Sequence, residues 1–155
     1  MQTAAGTVWK GIPTPLDNLF FPSIEMAGGF WNRANFLVRD KQPFVVSFGN
    51  VESICAYEET PYWTFAEESS RPGHALNLIV GTELLARIEA MYSGSRYFHF
   101  LLCGGDLCAE VLAQGYAIKR FDCEADAEQA LARELGHRIT DAGLGISDWQ
   151  VPADT

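Results

Sequence analysis

The sequence predicts an α+β fold: a mostly antiparallel sheet of about five to seven strands with two flanking helices. Three observations point there. Short runs rich in Phe, Val, Leu and Tyr are punctuated by glycine, as in FVVSFGNVESICAYE (Phe44–Glu58) and FHFLLCGGDLCAEVLA (Phe98–Ala113), which is how strands and turns read. Two later segments, around Thr82–Tyr92 and Glu124–Leu135, carry apolar residues at helical spacing. The chain has 155 residues, 48% of them hydrophobic, enough for a core without a disulfide or metal and too apolar for disorder. One domain is expected over residues 1–155, with no internal repeats.

Residues 1–22 form a Pro-rich N-terminal segment. Met1–Thr7 reads as a loose end. From Val8 to Pro22 the prolines Pro13, Pro15 and Pro22 exclude a regular helix, and Leu16, Leu19, Phe20 and Phe21 pin an extended chain. Ala27–Gly28–Gly29 signals a turn. Asn35–Arg39 and Pro43–Tyr57 read as strands, and Gly49-Asn50 within the second is a hairpin turn or a bulge. Tyr62–Phe65 is a further short strand candidate. Glu67–His74 is a loop turning at Pro72-Gly73.

Leu76–Tyr92 fits strand or helix at its start and helix at its end. Thr82 suits an N-cap, with Glu83 in the first turn. Leu84, Leu85, Ile88, Met91 and Tyr92 make one helical stripe, expected to pack on the sheet, with Arg87 and Glu89 facing away. Arg96–Phe121 reads as a β-hairpin extended into a meander, its third run following Gly115. With Gly105-Asp106 as the turn, Cys103 faces Cys108, Leu101 faces Glu110 and His99 faces Leu112. Tyr97, His99, Leu101, Cys103, Cys108, Glu110 and Leu112 then share one mixed face, while Phe98, Phe100, Leu102, Ala109, Val111 and Ala113 form an apolar one. A slip of one residue in the turn would change these pairings.

Asp122 suits the N-cap of a second helix, Glu124–Leu135, whose acids Glu124, Asp126 and Glu128 lie toward its positive end, with Arg133 and His137 near the other. Gly136 suits the C-cap. Ala127, Ala130, Leu131 and Leu135 make a face of mostly small residues suited to close approach to a sheet. In the tail, residues 142–155, Leu144, Ile146, Trp149 and Val151 are expected to pack before the chain frays at Pro152.

The net charge is −9. Such a balance repels a phosphate backbone and an anionic membrane surface, and attracts a basic protein. No apolar run approaches the ~20 residues of a membrane helix, and the first residues lack the basic start and apolar core of a signal peptide. A cytoplasmic location is expected, with the four cysteines, Cys55, Cys103, Cys108 and Cys123, reduced.

Two places carry candidate function. The mixed hairpin face gathers His99, Cys103, Cys108 and Glu110. As a zinc site, with Cys123 added, it lacks the C-x₂₋₄-C knuckles that such sites favour. As a catalytic site, His99 and Glu110 would be a base and its orienting group and a cysteine the nucleophile, but no G-x-S-x-G, H-E-x-x-H, P-loop or Rossmann turn accompanies them. As structure, they are satisfied polar residues and small hydrophobes beside a core. No catalytic residue, metal or cofactor is therefore assigned, and the face stands as an alternative ligand site. The second place is Glu58, Glu59, Tyr62, Trp63, Glu67 and Glu68, flanked by Trp31 and Tyr57. Aromatic anchors among carboxylates suit capture of a basic protein partner; the competing reading is aromatics in the core beneath a solvated acidic loop.

FGNVESICAYEE (Phe48–Glu59), TELLARIEAMY (Thr82–Tyr92), RYFHF (Arg96–Phe100) and DLCAEVLA (Asp106–Ala113) together resemble a set of small bacterial single-domain proteins, some of which resemble immunity proteins of toxin systems. The resemblance covers about half the chain, leaving out the Pro-rich third and the tail, and its motifs are short. It implies a sheet with flanking helices, no enzyme chemistry, and a cognate toxin as the partner. The functional expectation is a non-enzymatic, cytoplasmic, toxin-neutralising binding domain. The alternative is a small-molecule enzyme or ligand-binding domain built on His99 and Glu110; a homo-oligomeric structural role is a third.

Overall fold

The apolar runs fold as strands that sort into two antiparallel sheets. A computed structural model describes residues 8–19, 22–28, 33–58, 74–92, 94–135 and 149–152. Its strands are β1 (Val8–Ile12), β2 (Ile24–Met26), β3 (Ala34–Val38), β4 (Phe44–Gly49), β5 (Ser53–Glu58), β6 (Leu76–Val80), β7 (Phe98–Cys103), β8 (Leu107–Ala113) and β9 (Gly115–Arg120). A single 3-10 turn follows β1 at Pro15–Asn18, helix α1 spans Glu83–Met91, and helix α2 spans Glu124–Leu135. One sheet has the order β1-β6-β7-β8-β5 and the other β2-β3-β4-β9. This is the α+β class predicted, with antiparallel pairing throughout, but with nine strands among the described residues and two sheets in place of one.

The sheets pack face to face. Phe36, Val38, Phe44, Val46 and Phe48 come from one sheet, and Leu76, Leu78, Phe98, Phe100, Leu102, Ala109, Val111 and Ala113 from the other. The period-2 alternation of each strand delivers those residues to one side. Phe48 and Phe100 join the layers, with ring centroids 5.1 Å apart. The outer face of the four-stranded sheet is covered by α2, whose Ala127, Ala130 and Leu131 pack on Leu37 and Val45, as the small residues on that helix foretold. Leu135 belongs to the helix, but its side chain lies outside the described residues. The first helical bond runs from Ala127 N–H to Cys123 O, which puts Cys123, rather than the expected Asp122, at the cap position.

Two expected connections are corrected. β4 pairs with β3 and β9, whereas β5 pairs with β8. Gly49-Asn50 is thus neither hairpin nor bulge: it lies where the chain crosses between sheets, and Asn50 takes a positive φ of 53° there. The meander likewise stops at two strands. After Gln114 the chain changes layer, and β9 pairs with β4 beneath the core. Bending at these two points lets both inner faces stay apolar, which a flat continuation would not.

The stripe on α1 is corrected as well. It contains no buried residue, and Met91 is 69% exposed. Glu89, expected to face away, instead lines a cleft beneath the helix with Leu85.

Of the Pro-rich segment expected to be extended, Val8–Ile12 is a strand paired to β6 and Pro15–Asn18 is instead a 3-10 turn, while Phe20 and Phe21 lie outside the described residues. Asp17 in its 3-10 turn accepts the Ala75 N–H at 2.9 Å and meets His74 Nδ1 at 2.7 Å. Burial raises the Asp17 pKa, but these bonds outweigh it and hold the carboxyl below its ordinary value. In the tail, the Trp149 ring lies over Gly49 and Gln150 bridges to Tyr116, while Val151 is exposed. The Tyr62–Phe65 strand, the loop turn at Pro72-Gly73, the Gly136 cap, and Leu144 and Ile146 fall outside the described residues.

Candidate functional site

The β7–β8 hairpin has the register that a Gly105-Asp106 turn dictates. Cys103 pairs with Cys108, Leu101 with Glu110, and His99 with Leu112. The turn is fixed from outside. The Gly105 N–H donates to Pro22 O at 2.9 Å, and the Asp106 carboxylate accepts the Ile24 N–H at 3.0 Å and the Ser23 hydroxyl at 2.8 Å. The tip of one sheet is thereby tied to the first strand of the other. Gly104 is required at this junction, because a Cβ would lie 2.5 Å from Pro22 O.

The mixed face is where the four predicted residues meet, and three of them are buried on it. His99 is 1% exposed and Glu110 5%, Cys108 is buried and Cys103 half-buried. Ile79, Leu101 and Cys108 form a small apolar cluster there, with Cys103 packed against it.

Thr82, at the N-cap of α1, completes the His99 environment. Its hydroxyl oxygen accepts the Leu85 N–H at 3.2 Å and lies 3.1 Å from His99 Nδ1. On the other side of the ring, Glu110 Oε1 lies 3.6 Å from Nε2. Burial pushes the His99 pKa down to about 4, so the ring is neutral near pH 7 and carries one N–H. The Thr82 oxygen already accepts the Leu85 N–H, so its hydroxyl hydrogen is directed to Nδ1 and the ring N–H sits on Nε2, on the Glu110 side.

The Cys103 thiol is not activated either. Burial pushes the Cys103 thiol far up, reinforced by the neighbouring Cys108 and by the nearby Glu110 carboxyl. A nucleophilic cysteine needs the opposite shift. Among the described residues no group of three or more His, Cys, Asp or Glu side chains is placed to hold a metal ion. Cys123, offered as a fourth ligand, is exposed at the start of α2.

Two clefts flank this region. One, of about 310 Å³, lies under α1 and is lined by Leu78, Leu85, Glu89, Arg96, Tyr97 and His99 among others. The other, of about 320 Å³, lies at the start of β5 and is lined by Met26, Arg33, Val51, Glu52 and Ile54 among others. Sequence reasoning missed both, since each joins residues from distant segments. Of the predicted partner surface, Glu58 ends β5 with its side chain outside the described residues, and Glu59, Tyr62, Trp63, Glu67 and Glu68 lie wholly outside them. No family model, curated protein or solved structure matches the chain. No helix among the described residues is long and apolar enough to cross a membrane.

Proposed function

We propose that this protein is a non-enzymatic, cytoplasmic binding domain that captures a basic protein, in its most concrete form an immunity protein that occludes a toxin. The observation that carries the reading is the β5 cleft. Met26 and Ile54 are exposed large apolar side chains beside it. The strand that lines it runs directly into the acidic stretch beginning at Glu58. An apolar anchor site with Glu52 in its lining, on a chain of net charge −9, suits a basic partner by both packing and steering. The burial of His99, Cys108 and Glu110 in the hairpin cluster supports the same reading.

The test is copurification from the native host, followed by calorimetry with the protein encoded by the adjacent gene. A 1:1 complex that weakens with salt, and weakens at least tenfold in Ile54→Asp, supports the reading. Recovery of no partner, with a neighbouring gene that encodes no toxin, defeats it.

A second reading is favoured by the cleft under α1. Its volume of about 310 Å³ is at the lower end for small-molecule sites, and His99 lines it together with Arg96 and Glu89. A metabolite that raises the melting temperature of the wild type but not of His99→Ala would select this reading over the first.

A further inference from the structure

Cys103 and Cys108 are directly opposed across the β7–β8 ladder. The residues just beyond them, Gly104 and Leu107, are joined by the bond from Gly104 N–H to Leu107 O at 2.9 Å. Hydrogen-bonded and non-hydrogen-bonded pairs alternate along an antiparallel ladder, so the cysteine pair is a non-hydrogen-bonded one. The Cys103 N–H confirms this by turning the other way, to Ala75 O on the β6 side at 2.8 Å. At such pairs the Cα atoms approach to about 4.5 Å and the side chains lean together. That spacing lies within the range a disulfide spans, about 4.4–6.8 Å. The two side chains lie on the same face of the hairpin, directly across from each other.

We infer that Cys103 and Cys108 form a reversible intrachain disulfide when the protein meets a small disulfide oxidant such as glutathione disulfide. Cys103, the more accessible of the two, gives up its proton and attacks one sulfur of the oxidant. A mixed disulfide forms and one glutathione leaves as a thiolate, which takes a proton. Cys108 then loses its proton and attacks the Cys103 sulfur, forming the intrachain bond and releasing the second glutathione. Two electrons and two protons pass from the cysteine pair to the oxidant. The bond closes the tip of the hairpin at the turn that Asp106 and Gly105 hold against Pro22–Ile24, so it staples the junction between the sheets. Because the Cys103 thiol is held in its protonated form at neutral pH, the reaction is slow there and speeds up as pH rises.

The test uses the full chain carrying Cys55→Ser and Cys123→Ser, which removes the two exposed thiols. It is incubated with glutathione disulfide at several pH values, denatured, alkylated and digested with trypsin. Cleavage after Arg96 and Lys119 leaves both cysteines in one peptide. The expected product is that peptide about 2 Da lighter and unalkylated, restored by dithiothreitol, with a melting temperature raised by a few degrees before reduction. The wild-type chain should give the same peptide. A peptide that stays doubly alkylated, a glutathione adduct that never resolves, or a wild-type chain that links Cys55 or Cys123 to this pair would each overturn the inference.

Discussion

His99 Nδ1 lies 3.1 Å from the hydroxyl oxygen of Thr82, which also caps helix α1 by accepting the Leu85 N–H. One side chain thus ends the β6–α1 connection and satisfies a buried ring nitrogen on the neighbouring strand. The hairpin histidine is thus held by Thr82 at one ring nitrogen, while Glu110 Oε1 lies 3.6 Å from the other.

Thr82→Ala removes both functions at once. A lost cap and an unpaired buried nitrogen together cost about 1–3 kcal/mol. Thr82→Ser keeps the oxygen and should stay within about 1 kcal/mol of wild type. Urea denaturation separates the two; equal stability of the alanine and serine variants would show that the hydroxyl does not hold the ring.

The hairpin tip makes a second prediction. Gly104→Ala drives a methyl group against Pro22 O and the Ile24 side chain, forcing the entry to β2 outward at a cost of about 1–3 kcal/mol. Asp106→Ala leaves the Ile24 N–H without its acceptor, at about 1–2 kcal/mol. Both act on one contact, so the double variant should lose less than the sum of the two. Full additivity in thermal or chemical denaturation would mean that the tip and β2 are not coupled.

Acid should destabilise the fold through His99. In the unfolded chain the ring takes a proton near pH 6.5, but in the fold burial delays this to about pH 4. A depressed folded-state pKa means the stability is fully present above pH 6.5 and is lost as pH falls toward about 4. A shift of that size corresponds to roughly 3 kcal/mol. The titratable and charged groups around the ring are the Glu110 carboxyl and the Cys103 and Cys108 thiols on its face, Cys55 opposite Glu110 on β5, and Glu89, Arg96 and Tyr97 in the cleft under α1. His99→Gln, compared by urea denaturation across this range, should show a flatter profile than wild type, whatever its stability at pH 7.

The local features were legible in the residues themselves. Gly105-Asp106 between two apolar runs set the hairpin register, Thr82 marked the start of α1, and Ala127, Ala130 and Leu131 marked the face of α2 that meets the sheet. The layer changes at Gly49-Asn50 and Gln114 were not legible, because a strand shows the same alternation whether its next partner lies beside it or across the core. The burial of His99 and Glu110 was hidden for a related reason. Sequence states which residues share a face, but coverage of that face depends on segments far away in the chain. The stripe of α1 is the converse case: Leu84, Leu85 and Ile88 are only half-buried and Met91 and Tyr92 are exposed, so helical spacing marks a face without saying how closely anything lies against it.

The central claim is that the most chemistry-like cluster in this chain is structural, and a nitrogen-detected NMR titration of the His99 imidazole tests it most directly. The account predicts a neutral ring with its proton on Nε2, unchanged from pH 8 down to the region of its depressed pKa of about 4. Titration near the ordinary value of 6.5, or a proton found on Nδ1, would contradict it and return the hairpin face to candidacy as a reactive site.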